Sequence, residues 1–199
     1  MKVLCLITCA VLPLSAAIVD RLAVTVGQQT ITQLQLDEEI RITALLNRRQ
    51  VARDVETRRA AADRLVEQLL IQREMEQSRY PLPGQEDLDL YLEQIRAQNG
   101  GQAGLAKALA TYNLTESTLR QHLEAQLVTL RFIEYRFRPD VAVSDEEIEA
   151  AYKGEAGKNA TRESIRTTLM EARTDAALNA WLAERRRQVN IVYLDKTLQ

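Results

Sequence analysis

The chain has 199 residues, of which 46% are hydrophobic and 27% charged, enough to bury a core of one large or two small domains. Its formal charge of -2 and pI near 5.6 provide no basic excess, which disfavours nucleic acid and anionic membrane surfaces as partners. Both cysteines, Cys5 and Cys9, fall within the first seventeen residues, so beyond them there is no thiol for a disulfide or a thiolate metal site.

The opening MKVLCLITCAVLPLSAA has Lys2 as a positive start, an apolar run from Val3 to Leu14, and Ser15 and Ala17 at the spacing of a cleavage site. It reads as a signal peptide over residues 1–17. The run is too short for a spanning helix, which needs roughly 20 apolar residues. Cleavage after about Ala17 would release a soluble exported protein; the alternative is a leader retained as an N-terminal anchor.

Next, VDRLAVTVGQQTIT alternates at Leu22, Val24 and Val26, breaks at Gly27-Gln28-Gln29 and resumes at Ile31, the pattern of a β-hairpin. Thr32 and Gln35 form a capping-box pair that starts a helix carrying Leu36, Ile40, Leu45 and Leu46. Arg53 to Arg79 gives the strongest helical signal, with Ala62, Leu65, Val66, Leu69 and Leu70 on one face and Pro81-Leu82-Pro83-Gly84 behind it. Two short helices follow. The first carries Leu88, Tyr91, Leu92 and Ile95 and stops at Asn99-Gly100-Gly101; the second carries Leu105, Ala108, Leu109 and Tyr112.

Thr115 caps a helix running to about Phe137 with Leu119, Leu123, Leu127 and Leu130 on one side, closed by Pro139. Ser144 and Glu147 make a second capping box ahead of Ile148 and Tyr152. Arg162 to Gln188 is a long helix with Ile165, Leu169, Ala172, Ala176, Trp181 and Leu182 expected inward. The final VNIVYLD is a β-run that cannot stand alone, and the hairpin behind the leader is its expected partner. The fold class expected is therefore mainly α, with a small sheet built from an N-terminal hairpin and a C-terminal strand.

Chemistry-bearing motifs are few. His122 is the single histidine and reads as a partly exposed helical residue. The clusters Asp37-Glu38-Glu39 and Asp145-Glu146-Glu147 fit the first turns of helices, where the dipole favours negative charge. There is no nucleophile elbow, no P-loop and no dinucleotide fingerprint, so no catalytic residue, metal ligand or cofactor is assigned. The sequons at Asn113 and Asn159 would matter only in a eukaryotic secretory pathway. One helix exceeds what a minimal core needs: Val128, Phe132 and Tyr135 lie on a different side from Leu119, Leu123 and Leu127, and Phe137 adds to the aromatic density. Such a helix is buried twice or binds something. Either the Arg162 to Gln188 helix covers the second face, or the face receives apolar segments of a client.

The order of pieces resembles the non-catalytic domain of the periplasmic chaperones and peptidyl-prolyl isomerases of the SurA and PrsA type. The carrying stretches are VDRLAVTVGQQTITQLQLDEEI, RLVEQLLIQREMEQS, LEQIRAQNGG, YNLTESTLRQHLEAQLVTLRFIEYRF and VAVSDEEIEAAY, roughly Ile18 to Tyr152, with a fainter likeness in the closing helix and strand. The resemblance implies one helical domain over 18–199, with a core of 18–152 completed by a returning helix and strand at 162–199. It also implies a periplasmic location and binding of unfolded or partly folded exported proteins, outer-membrane proteins above all, with a preference for aromatic-rich segments. Where relatives carry a parvulin isomerase domain, Gly154 to Thr161 offers eight residues, against about 50 for even a small domain. Gly154 and Gly157 suit a short turn there. Isomerase activity is accordingly not expected, and none of the family's catalytic positions has a counterpart. The expected peptide-binding lining is Tyr91, Leu92, Ile95, Val128, Phe132, Tyr135 and Phe137. The alternative is an assembly subunit that uses the same faces to form a homodimer or to dock on one folded partner.

Overall fold

The computed structural model describes residues 20–153 and 160–199. The expected signal peptide and the turn at Gly154 and Gly157 lie outside the described residues. Among those residues, no helix is long and apolar enough to cross a membrane.

Strands β1 (Leu22–Val26) and β2 (Gln29–Thr32) form the hairpin read from the alternation. Its two-residue turn places Gly27 at φ 60°, a conformation glycine adopts without steric cost. Helix α1 (Gln33–Leu46) starts at Thr32 with both bonds of the capping box in place: Gln35 N–H donates to Thr32 Oγ1, and Thr32 N–H to Gln35 Oε1. Helix α2 (Val55–Ser78) is capped by Asp54 and ends at Arg79, which is left-handed at φ 54° ahead of Pro81. Helices α3 (Gln85–Gln98), α4 (Gly101–Thr111) and α5 (Glu116–Arg136) follow. Helix α6 (Asp145–Lys153) begins with the predicted Ser144–Glu147 box, and α7 spans Arg162–Gln188.

Strand β3 (Ile191–Tyr193) pairs antiparallel with β1, giving the sheet order β2-β1-β3. The last residues of the described chain thus close on the first, and the fold is mainly α with a small three-stranded antiparallel sheet. The tail continues into a short 3-10 turn, Lys196–Leu198, docked on α2. There Arg58 bonds Asp195 at 2.9 Å, Tyr193 donates to Asp63 at 2.8 Å, and Leu198 is buried. Leu198→Ala is expected to cost about 2–3 kcal/mol, whereas Val192→Ala on the exposed face of β3 costs under about 1 kcal/mol; urea denaturation of both variants measures the difference.

Apolar side chains gather in two clusters. The first joins the inner face of the sheet, the start of α1, most of α2, the end of α5 and the end of α7. The second joins the end of α1 with α3, α4 and the start of α5. Helices α1 and α5 run through both and act as shared struts. Helix α7 departs from the expected face: Ala172 and Ala176 are exposed, and Ala177, Leu178, Trp181 and Leu182 point inward. The reason is a change of partner along the helix. Its first half packs mainly on α6, where Ile165 and Ile148 are buried, while its second half turns a rotated stripe toward α2 and Phe132.

Candidate functional site

The seven residues expected to line a client groove do not form one surface. Leu92 and Ile95 are buried in the second cluster, and Phe132 and Phe137 in the first. Phe132 has no exposed area; its ring meets Phe137 edge-on at 5.5 Å and Trp181 at 4.7 Å. Helix α7 therefore covers the second face of α5 at Phe132; Leu92, Phe132 and Phe137 are core, whereas Ile95, though largely buried, borders the same cleft as Tyr91. Tyr135 stacks on Tyr80 at 5.9 Å and stays partly exposed. Val128 borders a groove between α2, α5 and β2. Tyr91 opens onto a separate cleft between α2, α3 and α5, which brings in residues the sequence had not singled out.

The floor of that cleft is polar and is built by four helices. Glu39, on α1, is the one charged residue that is buried among the described residues. It occupies the apolar stripe between Leu36 and Ile42 rather than a first turn, because α1 begins four residues earlier than the acidic cluster. Its Oε1 accepts from Arg64 Nε of α2 at 2.9 Å and from Thr43 Oγ1 at 3.3 Å. Its Oε2 lies 2.9 Å from His122 Nδ1 of α5. The other ring nitrogen, Nε2, lies 2.9 Å from the Gln126 amide nitrogen, and Tyr91 of α3 donates its hydroxyl proton to Gln126 Oε1 at 3.1 Å. One assignment satisfies the whole chain: Tyr91 O–H to Gln126, Gln126 N–H to His122 Nε2, and His122 Nδ1–H to Glu39. His122 is half-buried as a residue, and its imidazole side chain is only 7% exposed.

Burial raises the pKa of the Glu39 carboxyl, but the hydrogen bonds from His122 and Arg64 and the Arg64 guanidinium charge outweigh it, and the net direction is downward. Both carboxylate oxygens are therefore satisfied as the ionised form. This network sits where the two apolar clusters meet on α1 and α5, and it ties α2 and α3 to those struts.

Above the floor, the cleft has a volume of about 430 Å³ and an amide-rich end at Asn47 and Gln98. It continues past Arg64, Gln68, Tyr91 and Gln126 into an adjoining hollow of about 350 Å³ walled by Ile71, Leu130, Leu178 and Leu182. Leu130, which the helical spacing places on one side with Leu119 and Leu123, is 57% exposed at this apolar end. Amides that can donate and accept, next to an apolar wall, suit a polypeptide backbone with an apolar side chain. Among the described residues, no three histidine, aspartate or glutamate side chains converge as a metal site requires. The sequence carried a faint signal for the missed residues. Glu39 and His122 both occupy positions in otherwise apolar helical stripes, where a polar side chain needs a buried partner.

In comparison with known proteins, the chain matches no family model and no curated protein.

Proposed function

We propose that the protein is an exported, chaperone-like binder of unfolded or partly folded envelope proteins, working in the periplasm without a cofactor. The observation that carries this reading is the Tyr91 cleft, in which an amide-rich end and an apolar end are continuous and open. A client strand lays its backbone against Gln68, Gln98 and Gln126 and places an aromatic or aliphatic side chain against Leu130 and Leu178. Contacts of this kind are non-covalent and individually weak, so clients exchange quickly. The return of α7 and β3 onto the N-terminal hairpin also supports the reading, because it is the arrangement implied by the resemblance to the SurA and PrsA type.

The test is an aggregation assay with an unfolded outer-membrane protein, paired with titration of an aromatic-rich peptide. The protein is expected to delay aggregation and to bind the peptide, and Tyr91→Ala lowers peptide affinity roughly 5- to 30-fold. Absence of both delay and binding would reject the reading. A stable dimer in sedimentation that the peptide does not perturb would favour the assembly-subunit alternative.

A further inference from the structure

A second surface lies beside the Tyr91 cleft along the α2–α5 pair, at the free edge of the sheet. With the order β2-β1-β3, strand β2 has no strand on its outer side among the described residues. Which of its backbone groups face outward follows from β1. Gly27 N–H donates to Asn190 C=O, and Leu194 N–H to Ala23 C=O, so the odd-numbered residues of β1 bond toward β3. Its even-numbered residues, Val24 and Val26, then bond Ile31 and Gln29, their partners in register. Thr30 lies between those two partners and turns its N–H and C=O away from the sheet. Neither group bonds a helix, loop or side chain among the described residues, whereas the outward N–H of Thr32 is already taken by Gln35.

Thr30 borders a groove of about 400 Å³ whose other walls come from α2 and α5. Its apolar floor includes Leu65, Leu69 and Val128, all half-buried. Among the described residues, the only charged ones lining it are Glu76 and Glu124, with no lysine, arginine or histidine.

We propose that this groove accepts an extended polypeptide segment by strand addition to β2, and that the segment alternates apolar residues and carries lysine or arginine at its flanks. Strand addition supplies the occupant's backbone with both Thr30 groups. A period of two sends every second side chain to the apolar floor. The two glutamates select a basic flank over an acidic one. The groove lies beside the Tyr91 cleft and shares Gln68 with it as a common border, but the Thr30 edge belongs to the groove alone.

Fluorescence anisotropy tests the proposal on the purified full chain with three synthetic probes: a lysine-flanked peptide alternating valine and threonine, the same peptide N-methylated on the edge-facing amides, and a glutamate-flanked version. The lysine-flanked probe is expected to bind, to weaken as salt is raised, and to lose roughly tenfold in affinity on N-methylation. The glutamate-flanked probe binds more weakly still. Thr30→Pro removes the outward N–H without touching the β1 ladder and should match the N-methylation loss, while Thr30→Val keeps the backbone and binds as the unaltered protein does. Tyr91→Ala leaves these affinities unchanged, which separates failure here from failure of the cleft. Equal binding of the methylated and unmethylated probes, or of the basic and acidic probes, would overturn the proposal, and that comparison needs no variant to fold.

Discussion

Replacing His122 with leucine is expected to cost about 3 kcal/mol of stability, because it leaves one oxygen of a buried carboxylate without a partner. Glu39 is almost fully buried, and Arg64 and Thr43 serve only its other oxygen. The sharper expectation concerns the pair. The double variant Glu39→Leu/His122→Leu should be more stable than His122→Leu alone, since it removes the stranded charge together with its partner. Chemical denaturation of the two single variants and the double variant decides this; a double variant no more stable than the single would show that the pair carries no coupling. The acid response has a definite sign. The folded-state pKa of Glu39 lies below its ordinary value of 4.5, so its contribution is complete above that pH and is lost as pH falls through the depressed folded-state value. Glu39→Gln should accordingly flatten the fall in stability below pH 4.5.

Phe132→Ala should be the most damaging single truncation in the first cluster, at about 3–5 kcal/mol, or a fall in Tm on the order of 10 °C. The ring has no exposed area and contacts Phe137 and Trp181, so its removal opens a void between α5 and α7 where the two helices meet. Phe132→Leu retains most of the volume and should cost about 1 kcal/mol. Because the ring is enclosed, Phe132→Leu should leave client affinity unchanged. A large loss of affinity in that variant would mean that α7 lifts away during binding and that Phe132 contacts the client.

Most of the secondary structure was legible from short signals. Thr32 with Gln35, and Ser144 with Glu147, placed helix starts because a capping box is local chemistry that tertiary packing does not alter. The closure of β3 on β1 followed from the rule that an isolated strand needs a partner. The site was less legible. Periodicity marks a helix as having two apolar sides, but it does not say which side another helix will cover, and Phe132, Phe137 and Leu92 proved to be covered. It also assumes one partner per helix, which misplaced Ala172 and Ala176 on α7. The Glu39–His122–Gln126–Tyr91 chain comes from three helices separated in sequence. Only the register between α1, α3 and α5 brings those residues within hydrogen-bonding distance, and a linear pattern does not encode that register.

The most direct test of client binding is site-specific photocrosslinking with an aromatic-rich unfolded outer-membrane protein. A photoreactive residue at Leu130, exposed at the apolar end of the Tyr91 cleft, is expected to capture the client, and one at Arg59, exposed on α2 away from the cleft, is not. Equal capture at both positions, or capture at neither while aggregation is still delayed, would contradict the assignment of the cleft.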